Sequence, residues 1–155
     1  MKNLSLVLLV TTIFSQNSLH IDMDKSSIKW KGTKSTGSYH DGLINVKTSK
    51  LDFDKNNQLI GGEIIIDMNS ITCTDIQNKK SNRSLVKHLK DDDFFGTEIF
   101  PISRLVITNV EKIDEQNFKL IADLTIKENT HSIEFMANIL YNDNTGLASG
   151  KIEID

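Results

Sequence analysis

The strongest constraint on the fold is a regular alternation of apolar and polar residues in three late segments, at 118–127, 131–141 and 147–155, with Ile121 as an exception in the first. In the first segment, Leu124 belongs to the apolar face and Asp123 to the polar face. A period of two places successive side chains on opposite faces of a β-strand, so each segment predicts a strand with one dry face and one wet face. Antiparallel sheets accommodate this arrangement.

Shorter apolar runs earlier in the chain predict further strands, at residues 27–32, 43–53, 59–68 and 102–110. One polar stretch, 79–93, interrupts this series and carries Leu85 and Leu89 at the i, i+4 spacing of a helix, with Ser81 or Asn82 as the predicted cap. Hairpin-length connections between the later strands favour a meander, which closes into a barrel or folds into a sandwich. We therefore predict an all-β, antiparallel β-barrel with one short helix on a long connection.

The first eighteen residues differ in kind from the rest. Met1-Lys2-Asn3 is short and basic, residues 4–14 are mostly apolar, and small or polar residues follow. This order is typical of a secretory signal peptide, and the apolar stretch is too short to span a bilayer comfortably. We predict a leader over residues 1–18, cleaved within 15–20, and one domain over residues 19–155. The alternative is a buried N-terminal strand.

The charge balance restricts the class of partner. The chain has 155 residues, with 18 Lys and Arg against 21 Asp and Glu, and a formal net charge of −3. Nucleic-acid binding usually needs a basic face, so we expect no nucleic-acid partner. The same net charge argues against electrostatic attachment to an anionic membrane. Since no segment is long and apolar enough to span a bilayer, we do not expect an integral membrane protein.

No set of residues matches a catalytic or metal-binding motif. The single cysteine, Cys73, cannot form an internal disulfide and is interpreted as a partly buried thiol without a role. The aspartate run 91–93 lacks the ligand pattern of calcium loops and is interpreted as a solvated turn. A zinc site assembled from distant strands stays open, although no ligand spacing relates the four histidines, which are His20, His40, His88 and His131. We predict no metal, no cofactor and no enzymatic activity.

The apolar faces of the predicted strands carry no charged side chain, so the interior of the barrel is predicted to be dry. A dry interior can be filled by side chains, or it can hold an apolar ligand. Two adjacent aromatic residues in a polar connection, Phe94 and Phe95, are expected to plug the barrel or cover its mouth. A fully packed core stays open, but small inward residues favour a cavity, and they are Ser103, Ala122, Ala137, Ala148 and Gly150.

Two segments are specific enough to suggest a family, namely His88-Leu89-Lys90-x-x-Asp93-Phe94-Phe95 and the stretch 66–71, which ends in Ser-Ile. Less specific support comes from Trp30-x-Gly32, Phe100-Pro101 and the strand 123–127. Together these segments resemble the YceI-like periplasmic proteins. That family has a lipocalin-like barrel and binds polyisoprenoid lipids.

The chain departs from the family pattern at three places. Leu85-Val86 stands where many members carry Arg-Asp, and Glu128 replaces a usual glycine. The sequence also stops at Asp155, inside an alternating run, where the family continues with a further strand region. We therefore expect the closing strands at the C-terminus to be missing, which would leave open sheet edges.

The resemblance implies a carrier of a long-chain isoprenoid or similar amphiphile, which it sequesters or transports in the periplasm after export. The only ligand expected is this non-covalently bound lipid, and a homodimer stays open. Phe94 and Phe95 are predicted to lie at the mouth. Alternation and the resemblance together predict the residues that line the lipid tail, namely Trp30, Ile44, Ile64, Ile66, Met68, Leu105, Ile107, Leu124, Phe135 and Ile139.

Two other functions compete with a lipid carrier. An enzyme acting on lipids in the same cavity would need a titratable group among the inward positions, and none is found there. An envelope stress-related protein-interaction module would have a filled core, no ligand and an exposed apolar patch. An elongated internal cavity would discriminate between the carrier and the module.

Overall fold

A computed structural model describes the backbone of residues 3–15, 18–141 and 146–154, and the side chains of the last two ranges. Most of these residues lie in strands, and a single 3₁₀ turn spans Met68–Ser70. The elements in chain order are β1 (Asn3–Ser15), β2 (Ser18–Ile21), β3 (Ser27–Thr33), β4 (Tyr39–Phe53), β5 (Leu59–Asp67), α1 (Lys79–Lys90), β6 (Ile102–Lys112), β7 (Asn117–Ile126), β8 (Asn129–Tyr141) and β9 (Gly146–Ile154).

The strands form one antiparallel sheet that curls into a lipocalin-like barrel. From β3 to β9 each strand pairs with the next one along the chain, as a meander requires. Strands β2 and β3 both lie between β1 and β4, at different positions along the length of those strands. Strand β1 also pairs with β9. The predicted all-β class and the single short helix are confirmed.

Strand β1 comprises most of the segment predicted as a leader. Its backbone pairs with β3 from Asn3 to Leu9 and with β9 from Leu4 to Thr11. The leader and its cleavage stay predictions. In the described sheet, β9 has β8 on one side and β1 on the other, so the edge that was expected to be open at the last strand is paired here with β1.

The pairing of β4 with β5 is irregular beside two consecutive glycines, Gly61 and Gly62. The register shifts between Asp52 and Phe53, opposite Gly61. Gly62 has a φ of +153°, and a Cβ there would lie 2.6 Å from the carbonyl oxygen of Lys50. A bulge of this kind bends the strand and increases the local twist, which helps the sheet curl.

Alternate side chains fill the inside of the barrel. On β5, Ile64 and Ile66 are buried while Ile65 is only half-buried, so the predicted inward face of this strand is confirmed. Strand β7 alternates in the same way around Ala122, which is fully buried. Strand β8 differs, because its inward residues are buried only from Ala137 onward. Its first half therefore borders open space.

Helix α1 covers one end of the barrel. It begins after Asn78, whose side-chain oxygen accepts hydrogen bonds from two backbone N–H groups of the first turn, at 3.0 Å each. The predicted caps, Ser81 and Asn82, are wrong; the Asn82 amide instead donates to the carbonyl oxygen of Cys73 at 2.9 Å. Leu89 is the buried residue of the helix and belongs to the hydrophobic core. Among the described residues, no helix is long and apolar enough to cross a membrane.

Candidate functional site

A cavity of about 770 Å³ occupies the end of the barrel beneath α1, and we call it the main cavity. Its walls include Trp30 from β3, Leu124 from β7 and Ile133 from β8, while Leu85 and Leu89 of the helix form part of its cover. A volume of this size lies within the range of about 300–1,000 Å³ that is usual for small-molecule sites. The main cavity can therefore hold a ligand.

A second and much smaller space, of about 50 Å³, lies deeper in the barrel, and we call it the far pocket. Three of the small residues expected to leave room, Ala137, Ala148 and Gly150, line it, whereas Ala122 and Ser103 are buried in the core and line neither space. The inside of the barrel therefore contains these two spaces, which differ greatly in size and share no lining residue.

The residues predicted to contact the lipid, at its tail or at the mouth, separate into three groups. Trp30, Leu124, Phe94 and Phe95 line the main cavity. A second group lines the far pocket and comprises Ile64, Leu105, Ile107, Phe135 and Ile139. Ile44, Ile66 and Met68 are buried in the core and line neither space. Their contact with a ligand stays a prediction for all three groups.

Trp30 forms a fixed part of the cavity wall. Its indole nitrogen donates a hydrogen bond to the carbonyl oxygen of Thr72 at 2.8 Å. A Cβ on Gly42, the partner of Trp30 across the β3–β4 ladder, would lie 1.8 Å from that oxygen and 2.7 Å from the indole nitrogen. Because the glycine allows this close approach, the polar edge of the indole is satisfied and its carbon ring is left for apolar contacts.

Phe94 and Phe95 lie where α1 meets the main cavity. Their rings pack edge to face with centroids 4.9 Å apart, and the Phe94 ring packs against the His88 ring at 5.9 Å. The backbone N–H of Phe95 donates to the carbonyl oxygen of Leu89 at 3.1 Å, which ties the pair to the helix. Phe95 is buried and Phe94 is half-buried. Both aromatic side chains therefore form part of the cavity wall beside the helix.

The rim of the main cavity is polar, which the sequence analysis missed. His88, Asp93 and Lys127 belong to segments that carry the family resemblance, and that signal could have identified them. Lys34 follows the end of β3, and the other four lie on β4, β8 and β9, where no sequence pattern distinguished them from ordinary polar residues. The rim side chains are Lys34, His40, His88, Asp93, Lys127, Asn129, His131 and Glu153.

One rim histidine belongs to a small hydrogen-bonded cluster. His40 Nδ1 lies 2.8 Å from Asp75 Oδ2, and the Cys73 thiol donates to Asp75 Oδ1 at 3.2 Å. Burial acts to raise the pKa of Asp75, but the hydrogen bonds that it accepts from His40, Cys73 and the Asp41 N–H outweigh burial and hold the pKa at about 2. The carboxylate is therefore charged at neutral pH.

The same cluster does not activate the cysteine. Burial raises the pKa of the Cys73 thiol, and the adjacent Asp75 carboxylate acts in the same direction. A cysteine nucleophile reacts as the thiolate and needs a base beside it. Here the carboxylate lies between the thiol and the His40 imidazole, so the arrangement holds a loop in place rather than preparing a nucleophile.

His88, Asp91 and Asp93 bring one ligand atom each to within 4.8 Å of one another. All three side chains are exposed. Exposed acidic groups lie this close in many proteins that bind no ion, and no second feature of the site points to a cation. We therefore assign no metal to this cluster.

Comparison with known proteins adds family information. The profile of the YceI-like domain matches residues 19–155. The Campylobacter jejuni YCEI protein is 26% identical in sequence, with a TM-score of 0.50 over 62% of this chain and 54% of that chain. A mutant CJ YCEI protein with a monobromobimane guest gives 26% identity and a TM-score of 0.51 over 63% and 55%. The aligned region thus spans little more than half of these relatives.

A second fold neighbour is matched over nearly its whole length. Burkholderia cenocepacia BcnA aligns with 97% of this chain and 96% of its own, at a TM-score of 0.55 and 11% identity. At that identity the likeness shows the fold alone. A search of curated proteins found no match.

Proposed function

The chain belongs to the YceI-like family, and from that premise we propose that it binds a long-chain isoprenoid or similar amphiphilic lipid, for sequestration or transport in the periplasm. Members of this family are generally periplasmic binding proteins rather than enzymes. The observation that carries the proposal is the main cavity of about 770 Å³, with apolar walls and a polar rim. Export by the predicted leader is part of the same proposal.

The chemistry of the walls suits a hydrocarbon tail. Trp30, Leu124 and Ile133 offer apolar surface, and each methylene moved from water into such a space is stabilised by about 0.8 kcal/mol. No directed bond is needed for this gain, so the walls would select a ligand by width and length. The lysines and histidines of the rim would remain in contact with the polar head group.

The competing interaction module predicts a filled core. The main cavity argues against it, but one surface feature is in its favour. Met136, Leu140 and Leu147 are each 42–53% exposed on the outer face of β8 and β9, and the last two are cross-strand partners. Because of this exposed apolar patch, a protein-interaction role is the second candidate function.

A catalytic role receives less support. Titratable groups do lie on the rim of the cavity, but the thiol nearest to them is protonated at neutral pH because burial raises the pKa of Cys73. We therefore propose that the rim groups bind rather than react.

The test is mass spectrometry of the organic extract from protein purified without detergent, comparing Ile133→Arg with Ile121→Arg. Both isoleucines are half-buried on neighbouring strands, but Ile133 lines the main cavity and Ile121 does not. We expect stoichiometric lipid with the wild-type chain and with Ile121→Arg, and none with Ile133→Arg. Ile133→Phe, which narrows the cavity without adding charge, covers the case in which the arginine variant fails to fold.

An empty extract from folded wild-type protein would contradict the proposal and favour the interaction module. Equal lipid content in folded Ile133→Arg and Ile121→Arg would place the lipid elsewhere on the protein.

A further inference from the structure

Helix α1 concentrates positive charge in an otherwise acidic protein. It contains five basic side chains and no acidic one, whereas the rest of the chain has thirteen Lys and Arg against all 21 Asp and Glu. At 3.6 residues per turn, the five fall within an arc of about 100° on the helix surface. They form what we call the basic arc, which comprises Lys79, Lys80, Arg83, Lys87 and Lys90.

The basic arc is largely unneutralised. Four of its members are exposed, and among the described residues none of the five forms a salt bridge. Lys90 donates to the carbonyl oxygen of Asn69 at 2.6 Å, and the Arg83 guanidinium donates to that of Lys79 at 3.2 Å. Both are bonds to neutral groups, so the positive charge remains available to an external partner.

The basic arc lies on the outer face of the helix that covers the main cavity, since the cavity-lining residues of that helix lie about 130° or more around it from the centre of the basic arc. Leu85, His88 and Leu89 of the same helix line that cavity, and so do Lys34 and Lys127 at its rim.

An exposed apolar side chain accompanies this charge. Ile99 is 65% exposed and lies in the segment that follows α1. That segment is fixed to the helix end, since the Thr97 N–H donates to the Lys90 carbonyl oxygen at 3.0 Å. A basic helix face next to an exposed apolar side chain is the composition of an interfacial membrane contact.

We infer that the basic arc docks the helix-covered end of the barrel, which holds the main cavity, onto an anionic lipid bilayer. The net charge of −3 does not reveal this surface, because it is the sum of a basic helix and an acidic remainder of the chain. Attraction between lysines and an anionic leaflet acts within about one Debye length, so the local charge decides the contact. The purpose of docking rests on the proposed lipid binding, since a bilayer is where such a ligand resides, but docking itself does not need an occupied cavity.

Acidic residues near the helix oppose this attraction. Glu98 is exposed beside Ile99, and Glu153 lies on the rim of the main cavity. Asp91, Asp92 and Asp93 follow the C-terminal end of α1 and are exposed. Asp91 and Asp93 cluster with His88, which lies about 130° around the helix from the centre of the basic arc. The basic arc can therefore face a surface while the carboxylates of Asp91 and Asp93 lie to one side of it.

The experiment is co-sedimentation of the full chain with vesicles of phosphatidylcholine alone or mixed with phosphatidylglycerol, at low and high salt. The test variant is Lys80→Gln/Lys87→Gln, and the matched control is Lys55→Gln/Lys112→Gln. All four lysines are exposed, and the control pair lies at the opposite end of the barrel. The two variants change the net charge equally.

We expect binding only to the anionic vesicles, and a loss on adding salt. Each lysine removed from the basic arc should weaken partitioning about fivefold, so the test variant should bind about 25-fold more weakly while the control keeps wild-type binding.

Three results would overturn the inference: no binding to anionic vesicles at low salt, which would leave an acidic protein as the partner; equal binding to neutral vesicles; or equal losses in the two variants. Failure of docking is distinguishable from failure of lipid binding, because the extract of the same wild-type protein reports the cavity ligand independently of the vesicles.

Discussion

At the residue scale, the wall of the main cavity depends on a glycine. The hydrogen bond from Trp30 to Thr72 passes over Gly42, where a methyl group would lie 1.8 Å from a carbonyl oxygen. We predict that Gly42→Ala lowers the free energy of unfolding by about 2–4 kcal/mol, from overpacking and loss of the hydrogen bond. Urea unfolding, followed by tryptophan fluorescence, measures this change.

The control for this prediction is Gly32→Ala in the neighbouring strand. A Cβ there would meet the Trp30 ring at 3.7 Å, which is ordinary contact. We expect its stability to stay within about 0.5 kcal/mol of the wild type. Equal destabilisation by the two substitutions would show that strand glycines in general, and not the indole contact, account for the loss.

Substitution of two buried serines is predicted to change the free energy of unfolding in opposite directions. Ser103 Oγ is buried without a hydrogen-bond partner among the described residues, whereas Ser49 Oγ accepts from the Ile21 N–H at 2.7 Å. A buried hydroxyl without a hydrogen-bond partner destabilises the folded state, so its removal is favourable. Removal of a hydrogen-bonded hydroxyl instead leaves the partner N–H buried without an acceptor. We expect Ser103→Ala to raise the free energy of unfolding by about 1 kcal/mol and Ser49→Ala to lower it by about the same amount. A loss of stability in Ser103→Ala would contradict this assignment.

Asp75 should make the stability of the folded chain depend on pH in the acidic range. Its pKa is about 2 in the folded chain against an ordinary value of 3.8, so its contribution is present above pH 3.8 and is lost as the pH falls through about 2. We predict that Asp75→Asn lowers the melting temperature at pH 6, and that the difference from wild type shrinks between pH 4 and pH 2. Calorimetry across this range measures it; a pH-independent difference would exclude the ionic contribution.

At the element scale, the position of α1 was predictable from Leu85 and Leu89, but its cap was not. Several polar residues near the start of a helix satisfy the same preference, and only the folded chain shows that the Asn82 amide is used to hold the loop at Cys73. The inward face of β7 was predictable because alternation by itself fixes which residues share a face. On β5 the sequence left the inward face open, because Ile65 is apolar like Ile64 and Ile66.

The cap assignment gives a direct prediction. Asn78→Ala removes the acceptor for two N–H groups of the first turn and should lower the free energy of unfolding by about 1 kcal/mol. Ser84→Ala, at an exposed position in the same helix, should leave stability unchanged or slightly raised. If the two variants unfold at the same urea concentration, the capping role is wrong.

At the scale of the whole molecule, the division of the interior was beyond the sequence. Alternation identifies inward residues, but it does not show how far apart opposite walls stand. Ile133 and Phe135 follow one another on the inward face of β8, yet the first lines the main cavity and the second the far pocket. The curvature of the sheet and the placement of α1 decide where space remains, and neither is encoded in a local pattern.

The separation of the two spaces predicts which part of the barrel limits the length of the ligand. Ala137→Val/Ala148→Val adds volume to the far pocket of about 50 Å³, whereas Ile133→Phe narrows the main cavity. Since the two spaces are separate, we expect the alanine variant to show wild-type thermal shifts with geraniol, farnesol and geranylgeraniol. The Ile133→Phe variant should lose the shift first with the longest prenol, because stabilisation follows affinity for the folded state. If the alanine variant instead rejects the longest prenol, the two spaces join when the ligand enters, and residues of both spaces contact the lipid tail.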